Sequence, residues 1–262
     1  MEALSERKIL VVGASSGLGR ATAIELQRNG AHVAFAARRR DLLDEAVAEA
    51  GGGHVVVIDA LDPTSIEQGV TDAVDALGGL DGIVYTSGMS PMAPMAELSQ
   101  EDWQSVFGVN TFGPNLIIKA ALPHLSEDAV VAAVSSDSTE MPRHSLVPYA
   151  ASKRALEATM EGWRTETLGT RRFVTVILGP TMPTEFANSF TPEAFEAAIP
   201  HWQRQGFRTG IMNGHEVAHG LVSCFAALFA APTFGIESLL LRSPEPEVAN
   251  EFSSDVHSTE QE

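Results

Sequence analysis

The sequence predicts an α/β fold: a doubly wound parallel sheet of about seven strands, flanked by helices on both faces. Three observations predict it. Short runs rich in Val and Ile alternate with helix-like stretches along the chain. Those runs are nearly continuous in apolar residues, as strands buried on both faces require, rather than alternating in polarity. The length, 262 residues, suits one α/β domain of the larger kind.

The runs fall at 9–12, 32–37, 54–58, 82–85, 129–134, 173–178 and 236–241. Helical patterns lie between them at 18–29, 42–50, 64–77, 101–121, 149–168 and 216–229. Strand-helix-strand order implies right-handed crossovers in one sheet. Residues 1–242 read as a single domain, and 243–262 as an acidic, loosely packed tail without Lys or Arg. A net charge of −17 disfavours nucleic acid and anionic lipid as partners. No apolar run is long enough for a membrane span, and 1–8 lacks the pattern of a signal peptide. The single cysteine, Cys224, excludes an intrachain disulfide and suits a reducing cytoplasm.

The first strand ends in Gly13-Ala14-Ser15-Ser16-Gly17-Leu18-Gly19, and a helix pattern follows at once. Glycines there allow a tight turn and close approach of a ligand, and a helix N-terminus favours a pyrophosphate. The second strand ends in Ala37 followed by Arg38, Arg39 and Arg40. A carboxylate at that point would bond a ribose 2′-hydroxyl, whereas guanidinium groups suit a 2′-phosphate. This selects NADP(H) rather than NAD(H). Asp59 and Ala60, after the third strand, are candidates for the adenine edge; Asp59 reads equally as a loop or cap residue.

Tyr149 and Lys153 open a predicted helix with i, i+4 spacing, which puts both on one face. An ammonium beside a phenol lowers its pKa and readies it for proton transfer. Ser136 lies just past the fifth strand, where ligands of a parallel sheet collect, and its hydroxyl can steady a carbonyl oxygen.

The GxxxGxG turn at Gly13, Gly17 and Gly19, the serine at 136 and the YxxxK at Tyr149 and Lys153 resemble the short-chain dehydrogenase/reductase family, single-domain type. The resemblance covers about 8–242 and implies a Rossmann-type fold, a nicotinamide cofactor, a small carbonyl or alcohol substrate and a homodimer or homotetramer. It also implies that Asn110 orders a water leading to Lys153, that Gly88 passes beside the cofactor, and that Thr184 contacts the nicotinamide amide. Two motifs depart from the family. Tyr85-Thr86-Ser87-Gly88 stands where Asn-Asn-Ala-Gly is usual, removing asparagines that brace the sheet. Gly179-Pro180 inverts the usual Pro-Gly after the sixth strand.

His215-Glu216-Val217-Ala218-His219 matches the zinc motif HExxH, but Asn213 and Glu216 read better as a helix cap. No metal is expected. The stretch 185–213 interrupts the alternation and carries Phe186, Phe190, Phe195, Trp202, Phe207 and Met212. With a helix at 192–205 it reads as an apolar lid over the substrate. Met141, His144, Phe186 and Trp202 are candidate substrate contacts, which point to a medium or bulky apolar ketone or alcohol. Together these features predict an NADP(H)-dependent oxidoreductase. The alternative is a non-catalytic NADP(H)-binding regulator or scaffold.

Overall fold

A computed structural model of the chain describes residues 1–167, 169, 171–206 and 210–244. Phe207, Leu168 and the acidic tail from Glu245 onward lie outside the described residues. In chain order the elements are β1 (Lys8–Val12), α1 (Gly17–Arg28), β2 (His32–Ala37), α2 (Arg40–Ala50), β3 (His54–Val57), α3 (Pro63–Leu77) and β4 (Leu80–Tyr85). They continue with α4 (Gln100–Phe107), α5 (Gly113–Ala121), β5 (Leu125–Ser136), α6 (Val147–Glu166), β6 (Arg172–Leu178) and β7 (Thr181–Met182). The last four are α7 (Pro192–Gln205), β8 (Met212–Asn213), α8 (Gly214–Ala230) and β9 (Ser238–Leu241).

Seven parallel strands form one sheet in the order β3-β2-β1-β4-β5-β6-β9. Strand order reverses between β1 and β4, which opens a crevice at their carboxyl ends. The two-residue side-chain period splits the core in two. On one face Ile9 and Val11 pack with α1, α2 and α8. On the other, Leu10 and Val12 pack with α3, α5 and α6. A third, smaller core joins Met92, Leu146, Ala198 and Trp202 beneath α7.

Local chemistry fixes the ends of the helices. Asp62 caps α3 by accepting from the Thr64 N–H at 2.9 Å, Pro63 opens it and left-handed Gly78 closes it. Ser99 and Asp102 form a capping box on α4. Thr191 caps α7, with Pro192 in its first turn.

Three features depart most from what the sequence predicts. The helix expected over 101–121 is interrupted by a π-helical turn at Gly108–Phe112. Hydrophobic periodicity does not reveal the extra residue, because the apolar stripe resumes in α5. β5 begins at Leu125, four residues early, where the register against β4 shifts between Leu80 and Gly82. A short parallel pair, β7 with β8, ties the residues just before the 185–213 segment to its end and has no hydrophobic signature.

Candidate active site

The glycine turn is built around Thr86. Its hydroxyl donates to Val12 O at 2.8 Å, and its N–H donates to the same carbonyl at 2.9 Å. This staples the end of β4 to the end of β1. A Cβ on Gly13 would stand 2.4 Å from Thr86 Oγ1, and one on Gly19 would stand 2.2 Å from Gly13 O. Gly13 also has a φ of 95°, where other residues are strained. Gly19→Ala is therefore expected to destabilise the chain by roughly 1–3 kcal/mol, as overpacking of a tight site does; equilibrium denaturation in urea measures it.

Tyr85 supplies the second brace. Its ring is buried, and its hydroxyl donates to Val109 O at 2.6 Å, inside the π-helical turn. Burial pushes the Tyr85 pKa far up, so the phenol stays a donor. Thr86 and Tyr85 thus do the bracing that the sequence analysis assigns to the missing asparagines.

The π-helical turn aims Asn110 inward. Its amide nitrogen donates to Met89 O and to Ser152 Oγ, both at 2.9 Å, and its oxygen accepts from Met89 N at 3.0 Å. Ser152 Oγ in turn donates to Tyr149 O at 2.8 Å. Asn110 therefore holds the loop after β4 against the helix that carries Tyr149 and Lys153. Ser152, inside the YxxxK spacer, is a positioning residue that the motif alone does not reveal.

Ser136 is the last residue of β5 and is buried; its hydroxyl accepts from Ser138 N at 3.2 Å and from Ser138 Oγ at 3.0 Å, and it lies close enough to the Tyr149 phenol to lower its pKa. Phe186 packs on Tyr149 at a tilt of 48°, with centroids 4.6 Å apart, and Phe190 stands edge-on to Phe186 at 5.3 Å. Burial pushes the Tyr149 phenol up to about 12, against the hydrogen bond from Ser136 and the charge of Arg143, both of which lower it. Arg143 pairs with Asp137 at 3.0 Å, so a polar pair absent from the sequence analysis flanks the tyrosine. Only its clustering in space identifies it.

Lys153 is buried, with Nζ donating to Val134 O at 2.7 Å and standing 5.9 Å from the Tyr149 ring centroid. Desolvation brings its pKa down to about 7. This differs from the expectation that a full ammonium lowers the tyrosine pKa. Burial acts on both groups, raising one and lowering the other, and it outweighs their mutual effect.

At the rim, Ser15, Ser16, Arg39 and Glu185 form one polar cluster. Arg39 donates to Ser15 Oγ at 3.1 Å and to Glu185 Oε1 at 3.2 Å, while Ser16 Oγ donates to Glu185 Oε2 at 2.8 Å. The hydrogen bond from Arg39 holds the Glu185 carboxyl below the usual carboxylate range. Arg38 is exposed and makes no ion pair among the described residues. Gly17 and Leu18 begin α1, with Thr184 Cα 3.3 Å from where a Cβ on Gly17 would lie. Gly88 faces Lys153, whose Nζ would stand 3.4 Å from a Cβ there. Asp59 Oδ1 accepts from Leu61 N at 3.0 Å, so its carboxylate serves its own turn, and Ala60 packs on Gly113.

The proposed substrate contacts separate. Phe186 lies on Tyr149, and Met141 is 39% exposed. Trp202 is buried in the third core and its indole donates to His144 O at 2.9 Å, so it packs α7 down rather than facing Tyr149. His144 stacks on His201 at 3.8 Å and lines a surface cavity of about 490 Å³ with Pro142, Val147, His201, Arg204 and Gln205. Asn213 caps α8 by accepting from His215 N at 2.9 Å, and His219 bonds Glu25 at 3.1 Å. Among the described residues no cluster of three His, Cys, Asp or Glu can hold a metal, and no helix is long and apolar enough to cross a membrane.

The reversed strand order, the glycine turn after β1 and the serine, tyrosine and lysine beside β5 now meet a family match. Residues 7–194 match the short chain dehydrogenase family. This chain belongs to that family. A short-chain dehydrogenase/reductase of Cladobotryum sp, FrzI, is 35% identical over 178 residues, which cover 66% of this chain and 69% of that relative. Alignments to two further curated relatives span 64% and 17% of their lengths. A solved dehydrogenase/reductase from Sinorhizobium meliloti 1021 is 29% identical, with a TM-score of 0.76 over 91% of this chain and 96% of that one. A short chain dehydrogenase from Burkholderia cenocepacia J2315, solved in complex with NADP, is 24% identical with a TM-score of 0.77, over 91% and 97% of the two chains, and shares the fold. The short-chain dehydrogenase match ends at residue 194, inside α7; α8 and β9 lie beyond it, and β9 is the last strand of the seven-stranded sheet.

Proposed function

We propose that this chain is an NADP(H)-dependent oxidoreductase that interconverts a ketone or aldehyde with an alcohol on a medium or bulky apolar substrate. The observation that carries the reading is the convergence of Ser136, Tyr149 and Lys153 at the carboxyl end of β5. Asn110 and Ser152 hold the helix that brings two of them there.

The donor set at the rim fits a phosphorylated dinucleotide. Arg39 and Ser16 already hold an oxygen anion, the Glu185 carboxylate, and Arg38 adds a second cation. The glycine turn leaves Ser15, Ser16, Gly17, Leu18 and Gly19 at a helix N-terminus, a favourable place for a diphosphate. Thr184, beside Gly17, and Gly88, beside Lys153, would border the nicotinamide half. When bound, the nicotinamide supplies or takes the hydride. Ser136 would hold the substrate oxygen and Tyr149 would pass it a proton. A phenol raised to about 12 keeps its proton at neutral pH, which is the form a reduction consumes. Phe186 on Tyr149, with Phe190 against Phe186, supports an apolar substrate.

The test is a spectrophotometric screen of NADPH oxidation against a panel of ketones and aldehydes, with NADH in parallel. Turnover with NADPH, fastest on apolar carbonyls, is expected. Tight NADPH binding without turnover on any member would favour the non-catalytic reading instead.

A further inference from the structure

Glu185 belongs to none of the family motifs, yet it closes the rim of the site. Its carboxylate accepts from both terminal nitrogens of Arg39 and from Ser16 Oγ, and the same arginine reaches Ser15 Oγ. A planar guanidinium fork just past the end of β2, with serine hydroxyls from the glycine turn, is the contact set that a phosphate monoester takes. The neighbours of Glu185 continue the closure. Pro183 O and Thr184 Cα would stand 3.6 and 3.3 Å from a Cβ on Gly17, and Phe186 covers Tyr149. Residues 183–186 thus lie from the glycine turn to the tyrosine, with one carboxylate on the only arginine of the Arg38–Arg40 run that bonds the glycine-turn serines.

Resting on the NADP(H) reading above, we propose that Glu185 sets how strongly the chain prefers a 2′-phosphorylated cofactor, because its carboxylate occupies the anion position on Arg39 and Ser16. A 2′-phosphate must displace that carboxylate and then tolerate its charge nearby. A cofactor with a free 2′-hydroxyl leaves the ion pair in place. Glu185 therefore weakens NADPH selectively, and Arg38, outside the pair, is the cation that remains for the incoming phosphate. Arg39 and Glu185 side chains are 46% and 41% exposed, so the pair is of the surface kind and its removal has a moderate effect.

The experiment compares the parent chain with Glu185→Gln and Glu185→Asp by titration calorimetry. The probes are adenosine 2′,5′-bisphosphate, 5′-AMP, NADPH and NADH. Glu185→Gln is expected to tighten the bisphosphate and NADPH by about fivefold, a gain that shrinks at high salt, while AMP and NADH stay within about twofold. Glu185→Asp keeps the charge and should stay near the parent. An equal gain for all four probes would make Glu185 a steric plug and overturn its part in selectivity. A parent chain that prefers the phosphorylated probes, with no change in Glu185→Gln, overturns this proposal and leaves the NADP(H) reading standing. Equal binding of phosphorylated and unphosphorylated probes by all three chains overturns both.

Discussion

Phenylalanine at position 149 is expected to lower kcat by about 10²- to 10⁴-fold, the usual contribution of a positioned acid or base. The substitution keeps the ring that packs on Phe186 at 4.6 Å and removes only the hydroxyl. NADPH affinity should therefore stay within about twofold, since uniform binding is untouched. Steady-state kinetics on the best carbonyl from the screen, with fluorescence titration of NADPH, measures both quantities. A variant that retains turnover would remove Tyr149 from the chemistry. Loss of kcat together with loss of NADPH binding would point instead to a collapse of the loop over Gly88.

Lys153→Met should separate stability from activity. Burial lowers the lysine from its ordinary 10.5 to about 7 in the folded chain. Between those values the unfolded chain holds a proton that the native chain lacks, so stability rises with pH across that window. Below it, the native state carries a desolvated ammonium, at a cost on the order of a few kcal/mol. Methionine removes that burden and gives up the hydrogen bond to Val134 O, worth about 1 kcal/mol. The variant should thus melt higher than the parent near pH 7, with the gap closing toward pH 10.5, while kcat falls by at least about 10²-fold. Thermal denaturation across that pH range decides it. A parent chain more stable than Lys153→Met at neutral pH would mean that Lys153 is better solvated or paired than its surroundings indicate.

Much of the fold is legible in the sequence. Buried parallel strands are written as continuous apolar runs, so all seven main strands end within two residues of their predicted ends, and only β5 starts further than that from its predicted start. Motifs that act through backbone shape, such as Gly13-to-Gly19 and Tyr149-to-Lys153, are local and survive translation into sequence. Features set by packing across the chain are not. The π-helical turn that aims Asn110 depends on Tyr85 reaching Val109, twenty-four positions away. Trp202 looks like any lid aromatic until Met92 and Leu146 are seen around it. Glu185 is one carboxylate among 34 acidic residues, and only its distance from Arg39 marks it out.

The Thr86 staple constrains how this chain can change over time. Gly13, Gly19 and Thr86 share one small volume, and each is confined by the other two. An asparagine at position 86 would enlarge the shared side chain inside a space already closed to a single methyl group. The three positions therefore form an epistatic set: Thr86→Asn alone should be harmful until the turn around Gly13 has moved to admit it.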